Sequence, residues 1–360
     1  MLSALASVLV LGVLVVLHEW GHFLVARWSG VRVLRFSVGF GPRLLAWTRG
    51  HTEYAVSAIP LGGYVKMAGE QRSEQAHEPW EYLSKPIHTR AAIVFAGPFV
   101  NYLIALVTLW VVFVVGYPEL LPTVGKLVND MPAKAAGIQI GDRVTAVDGV
   151  PVKTWEQMTK RIYASPGHPI TVEIDRDGAT QRIEVTPKAK EITDPFGHRK
   201  TVGQIGIIPK GDFHTYRVGP IEAIRRTVKQ QHEWTIQTFF ALWSMATGKM
   251  SVRDSVTGPI GIVVLTSEAV QLGIAPLLFL VSLFSLSLAI FNLFPIPILD
   301  GGHLLFLALE KLRGRPVSIQ VQERSAQVSL VLLVTMVLVI CANDVSRFGL
   351  VDKLMGIFNR

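Results

Sequence analysis

His18, Glu19 and His22 stand in the order H-E-x-x-H, the pattern that most directly implies chemistry in this chain. On an α-helix, residues four apart share one face, so both imidazoles can reach a single ion. Zinc takes such nitrogens at about 2.0–2.1 Å. Glu19, next to the first histidine, falls near the remaining coordination position and can take a proton from an activated water. The motif lies inside an apolar run, where two imidazoles and a carboxylate are costly unless they hold something. Two histidines that merely pack between helices would leave Glu19 without a role.

A catalytic zinc needs a third protein ligand and one open position. Asp300 is the acid that stands out. It follows six residues, Phe294 to Leu299, whose side chains are proline or hydrocarbon, and two glycines follow it. A carboxylate there calls for a cation or a metal; the rival role is a cap on a helix beginning near Gly301. Asn292, eight residues earlier, is either an oxyanion or substrate-backbone donor or a helix-packing amide. His303 either supports the ligands from behind or is a spare ligand, because His18, His22 and Asp300 already leave the water site open. Gly97 and Asn101 are candidates to line the same cavity. The implied reaction is hydrolysis of a peptide bond, with zinc polarising the carbonyl and Glu19 passing the proton to the leaving amine. At membrane depth the substrate is a membrane segment, and it must unwind to be cut. The β-prone stretch 31–67 offers strand edges that could pair with it.

The elements that must carry these residues are membrane helices. Half of the 360 residues are apolar and 17% charged, with a mean hydropathy of +0.39, against about 25% charged residues in soluble domains. This excludes a disordered chain, a collagen-like fibre and a typical cytosolic enzyme. Apolar runs cover 2–17, 91–116, 274–299 and 328–342, so about four transmembrane helices are expected. The N-terminal run has no basic residue before Arg27 and reads as a retained first span rather than a signal peptide. The formal charge of +8 suits an anionic membrane surface. No basic patch is interleaved with aromatics, so a nucleic-acid partner is not expected. The single cysteine, Cys341, excludes an internal disulfide and a cysteine-ligated metal cluster.

Between the runs the pattern changes. Glycine and proline punctuate short β-prone stretches over 31–69, which predicts a small sheet at the membrane surface. Residues 70–90 read as a loop with a short helix. Residues 118–215 read as a compact α+β or barrel-like module, with strands near 124–128, 143–147, 170–174 and 181–185 and helices near 133–137 and 154–163. Residues 219–247 form a long pattern with one apolar side, fit either to lie on a membrane or to pack. Gly258–Gly261 reads as a turn or helix break. The parts are thus 1–117, with two spans, the H-E-x-x-H motif and the β-region; 118–215, the soluble module; 216–273, the amphipathic segment; and 274–360, with the last two spans, Asp300 and a C-terminal tail. Nine Lys or Arg residues in 27–90 and four in 311–324, against three in the tail after Asn343, put the first and third connections and the active site toward the cytoplasm, and the termini and the 118–273 region outside.

His18-Glu19-x-x-His22 together with Asn292-x-x-Pro295-x-Pro297-x-Leu299-Asp300-Gly301 resembles the site-2 protease family of intramembrane zinc metalloproteases. Phe95-Ala-Gly-Pro-x-x-Asn101, Gly258-Pro-Ile-Gly261 and the string to His303 resemble its bacterial regulator-of-sigma-E branch. The resemblance implies Zn2+ held by His18, His22 and Asp300, with Glu19 as catalytic base and Asn292 contacting substrate or oxyanion. It also implies regulated intramembrane proteolysis in the bacterial inner membrane, on a single-span protein such as an anti-sigma factor or on remnant signal peptides. Asp130-x-Pro132-Ala133-x-x-Ala136-Gly137-Ile138-x-x-Gly141-Asp142-x-Val144 resembles a PDZ domain, and the spacing leaves room for one, where many members of that branch have two. The fold class implied is a polytopic α-helical membrane protein with a membrane-associated β-region and an inserted PDZ-like α+β domain. The rivals are a membrane metal-ion transporter, which would want several acidic positions along a path, and a non-catalytic PDZ-bearing adaptor, which needs no Glu19.

Overall fold

The computed structural model describes residues 2–71, 76–193, 199–251 and 256–347. The basic tail beyond 347 and part of the polar loop after 70 lie outside the described residues. The chain divides into two compact units, 1–111 with 224–239 and 252–360, and 112–223 with 240–251.

In the first unit, helix α1 (Leu2–Trp28) leads into two long strands, β1 (Val33–Arg49) and β2 (Thr52–Met67), followed by α2 (Ile87–Val115). The two strands form an antiparallel pair broken by several register shifts, so that Ser37 has Tyr64 on one side and Ala55 on the other, while Trp47 pairs with Tyr54. The stretch 63–67 therefore borders the folded pair. Glycines let the layers touch. A Cβ on Gly12 would come within 2.7 Å of the Pro60 carbonyl oxygen, and one on Gly21 within 2.5 Å of that of Ala96. This close backbone approach is how small residues join helices in a membrane. Phe23, Ala26, Val31, Val33, Met67 and Ile93 form the buried cluster at the foot of α1.

Between 68 and 86 the described residues form turns and no helix, unlike the expectation. The second span starts earlier than its apolar run, at Ile87, and its first turn carries Arg90.

In the second unit, four antiparallel strands lie in the order β6 (Val150–Pro151), β5 (Arg143–Val147), β7 (Ile170–Arg176), β8 (Ala179–Val185). Ile170, Val172 and Ile174 alternate inward along β7, as a half-buried strand requires. Three further pairs join β3 (Tyr117–Leu120) to β12 (Phe213–Tyr216), β4 (Val124–Leu127) to β11 (Ile207–Pro209), and β9 (Lys188–Thr193) to β10 (Arg199–Gln204). Helices α3 (Pro132–Ala135) and α4 (Trp155–Tyr163) complete it, α4 capped by the Thr154 hydroxyl. Gly137 and Gly141, at φ +89° and +99°, make the two turns that frame Asp142. Asp142 is buried and takes two 2.7 Å hydrogen bonds from Arg176 and one from the Gln139 amide.

The amphipathic stretch is a single helix, α5 (Pro220–Ala246). Gly258–Gly261 does not end a helix but opens one, α6 (Pro259–Leu272), with proline in the first turn. The buried Asp344 accepts from the amides of Gly258 and Gly261, at 3.3 and 2.9 Å, and so supplies the cap from 83 residues away. Then come α7 (Ile274–Asn292), α8 (Asp300–Arg313) and α9 (Ile319–Arg347). The last span is longer than its apolar run suggested. Helices α1, α2, α7 and α9 are long and apolar enough to cross a membrane, and the architecture is that of a polytopic helical membrane protein with an α+β extramembrane module.

Candidate metal centre

Helices α1 and α8 bring the three sequence-selected ligands together, all within the first unit. His18 Nε2 lies 3.0 Å from Asp300 Oδ2, His22 Nε2 lies 3.5 Å from the same oxygen, and the two nitrogens are 3.2 Å apart. Donors around a tetrahedral zinc, with bonds of about 2.0–2.1 Å, stand roughly 3.3 Å from one another. Both histidines are buried, and Asp300 Oδ2 is a buried oxygen with no hydrogen-bond donor of its own. An acceptor left in that state is costly, and a cation resolves it together with the two facing lone pairs.

The residues behind the donors aim them. His22 Nδ1 lies 2.8 Å from the Ile93 carbonyl oxygen. The bond is made by Nδ1–H, which leaves the Nε2 lone pair for the ion. His18 Nδ1 meets the side-chain amide of Asn101 at 3.1 Å. Gly97 lies directly against the pair: a Cβ there would come within 2.4 Å of His22 Nε2 and 2.7 Å of His18 Nε2. Asn101 is itself positioned from α7, where Ser285 donates to its carbonyl oxygen at 2.7 Å, and one turn away Ser282 donates to that of Ala105 at 2.8 Å.

Asp300 is the first residue of α8, and its Oδ2 faces the two imidazoles. The cap position itself falls to Leu299, one residue before Asp300. The prolines at 295 and 297 end α7 and the glycines restart the chain. A Cβ on Gly301 would meet the Phe294 carbonyl oxygen at 2.2 Å, and one on Gly302 that of Ile296 at 2.3 Å.

The donors open on a cavity of about 700 Å³ that is also lined by Glu19, Asn292 and His303. Val65 and Met67 of β2 form part of its wall, as do Tyr82, Arg90 and Glu310. Burial pushes the Tyr82 phenol well above its ordinary range, so it keeps its proton. Gly97 and Asn101, expected as cavity lining, touch the histidines instead. The Ile93 carbonyl has no sequence signal, since any residue supplies one. Arg90 and Glu310 had a faint one, as charges at the edges of apolar stretches.

The model of peptidase family M50 matches residues 6–336. A protein of Rhizobium meliloti, named as a candidate zinc metalloprotease, is 37% identical over 353 residues, covering 93% of this chain and 94% of that one. The regulator of sigma-E protease RseP of Salmonella typhimurium is 31% identical over 446 residues, covering 95% and 98%. The zinc metalloprotease RasP of Geobacillus kaustophilus is 28% identical over 426 residues, covering 97% and 99%. These last two alignments exceed the 360 residues of this chain, so both relatives carry inserted sequence that it lacks. Similarity that runs through the donor-bearing helices at both ends makes the chain a member of peptidase family M50, a zinc metalloendopeptidase of the membrane.

Proposed function

We propose that this chain cuts single-span membrane proteins within the bilayer, with His18, His22 and Asp300 as zinc ligands and Glu19 as general base. The observation that carries the reading is the convergence of three donor atoms within 4.8 Å of one another at a cavity that Glu19 also lines. Zinc held there supplies Lewis acidity toward a peptide carbonyl and lowers the pKa of a water. Glu19 accepts the proton of the attacking water and delivers it to the leaving amine nitrogen. The Asn292 side-chain amide donates to the developing oxyanion or to the substrate backbone.

The substrate must arrive unwound, since helical amides are already hydrogen-bonded. The stretch 63–67 of β2 pairs with β1 on one side, and Val65 and Met67 face the cavity. It is placed to take an extended segment as an added strand. The substrate class is an anti-sigma-type anchor or a remnant signal peptide in the bacterial inner membrane. The PDZ-like module, 118–215, screens the substrate's outward part, the segment 216–273 lies along the membrane, and the metal centre works toward the cytoplasmic side.

The test is Glu19→Gln in the full chain, reconstituted with a model single-span substrate. Zinc content should stay equal to that of the unaltered protein while cleavage falls by about 10²–10⁴. Persistent cleavage would remove Glu19 from the mechanism. Zinc flux into sealed vesicles without cleavage would make the protein a transporter.

A further inference from the structure

The third ligand stands at the tip of a poorly anchored helix. Among the residues of α8 only Gly301, Gly302 and Leu307 are buried. The two glycines let the first turn sit close to the preceding loop, but they carry no side chain that would fix the helix along its axis or about it. Of the large side chains, Leu307 is buried, and Leu304 and Phe306 are half-buried.

Ten residues beyond Asp300, roughly 15 Å along the helix, Glu310 meets Arg90 of α2. The contact is two-pronged: one terminal nitrogen of Arg90 lies 2.5 Å from Oε1 and the other 3.2 Å from Oε2. Arg90 Nε donates to the Lys85 carbonyl oxygen at 3.1 Å, so the guanidinium plane is fixed from behind. The Arg90 and Glu310 side chains are 9% and 17% exposed. Arg90 lies one turn before Ile93, whose carbonyl aims His22, and two turns before Gly97, which lies against both imidazoles. The same stretch of α2 therefore references the histidines and the far end of α8.

We propose that Arg90 and Glu310 are positioning residues for the metal centre: their forked ion pair sets the depth and rotation of α8 and so holds the Asp300 carboxylate over His18 and His22. A buried pair of this kind is a poor source of net stability, because desolvation offsets the attraction. What a fork does supply is direction. The proposal rests on His18, His22 and Asp300 as the ligand set, and zinc binding by the unaltered chain tests that reading separately.

The experiment measures zinc affinity by chelator competition, with kcat and KM on a single-span substrate, in full-length detergent-solubilised protein. Arg90→Gln and Glu310→Gln should each bind zinc about 10–100-fold more weakly, the range for residues that orient a ligand from behind. The double variant should be no worse than the weaker single. The value of kcat should drop while KM stays within about twofold. Arg90→Lys keeps the charge but not the fork and should fall between, which also serves if the glutamine variants do not fold. Leu109→Ala, a truncation of a fully buried α2 residue, should lower thermal stability yet keep zinc affinity. Native zinc affinity in folded Arg90→Lys or Glu310→Gln overturns the proposal. So do losses that multiply in the double variant, or an equal zinc loss in Leu109→Ala.

Discussion

The side-chain amide of Asn101 lies 3.1 Å from Nδ1 of His18, and its oxygen, Oδ1, is buried without a partner in that orientation. A half-turn of the amide exchanges its nitrogen and oxygen, so that Oδ1 accepts from Nδ1–H. That satisfies the stranded oxygen and frees the Nε2 lone pair of His18, just as the Ile93 carbonyl does for His22. Asn101→Leu should weaken zinc binding by about 10–100-fold, and Asn101→Asp, which still accepts, should lose much less. Chelator competition on the two purified variants separates the cases.

Gly97 leaves no room for a side chain beside the imidazoles, because the atoms that a Cβ would meet are the donors themselves. Gly97→Val should displace both rings, lower zinc occupancy to background and abolish cleavage, while far-UV circular dichroism keeps its helical signal. Full zinc occupancy in this variant, measured by elemental analysis, would contradict the close approach of α2.

Removal of the metal should be felt in stability as well as in activity. Zinc that binds the folded chain at a thousand times its Kd adds about 4 kcal/mol. Dialysis against a chelator should therefore lower the melting temperature and stop cleavage, and both should return on adding zinc. His22→Ala should show the lower melting temperature from the outset and no response to the metal.

Asn292 lines the same cavity as the three donors. If its amide serves the oxyanion or the substrate backbone, Asn292→Ala should leave zinc affinity unchanged and cut kcat by about 10²–10³. A loss of zinc instead would mean that the residue holds the loop to Asp300.

The α+β module carries its own pH dependence. Burial alone would raise the Asp142 carboxyl, but the Arg176 fork and the Gln139 amide outweigh it and hold the group below the ordinary aspartate range. The unfolded chain then binds the proton more readily than the folded one. This contribution is complete above the unfolded value and is lost as pH falls through the folded one. Hydrogen exchange of the β7 amides should accelerate below the ordinary aspartate range, and Asp142→Asn should speed exchange at neutral pH while flattening that acid limb.

The candidate site residues were legible because they break a pattern. Polar side chains inside hydrocarbon announce themselves, and His18, Glu19, His22 and Asp300 are each such an interruption. The spans were legible from length and hydropathy. What escaped was set by distant partners. Helix α6 reads as a turn because Gly258 and Pro259 weaken helices locally, and the Asp344 cap that rescues it lies far along the chain. The edge pairs β3–β12 and β9–β10 escaped because a few residues at a module's rim carry too little alternation to stand out. The folded-over register of β1 and β2 escaped for another reason, since glycine and proline divide them into pieces that look like separate strands.

Asp300 follows His22 by most of the length of the chain. A nascent chain emerging from the ribosome holds both imidazoles and Glu19 long before it holds the Asp300 carboxylate. On the proposed ligand set, the donors are complete only once the late helices have inserted and docked.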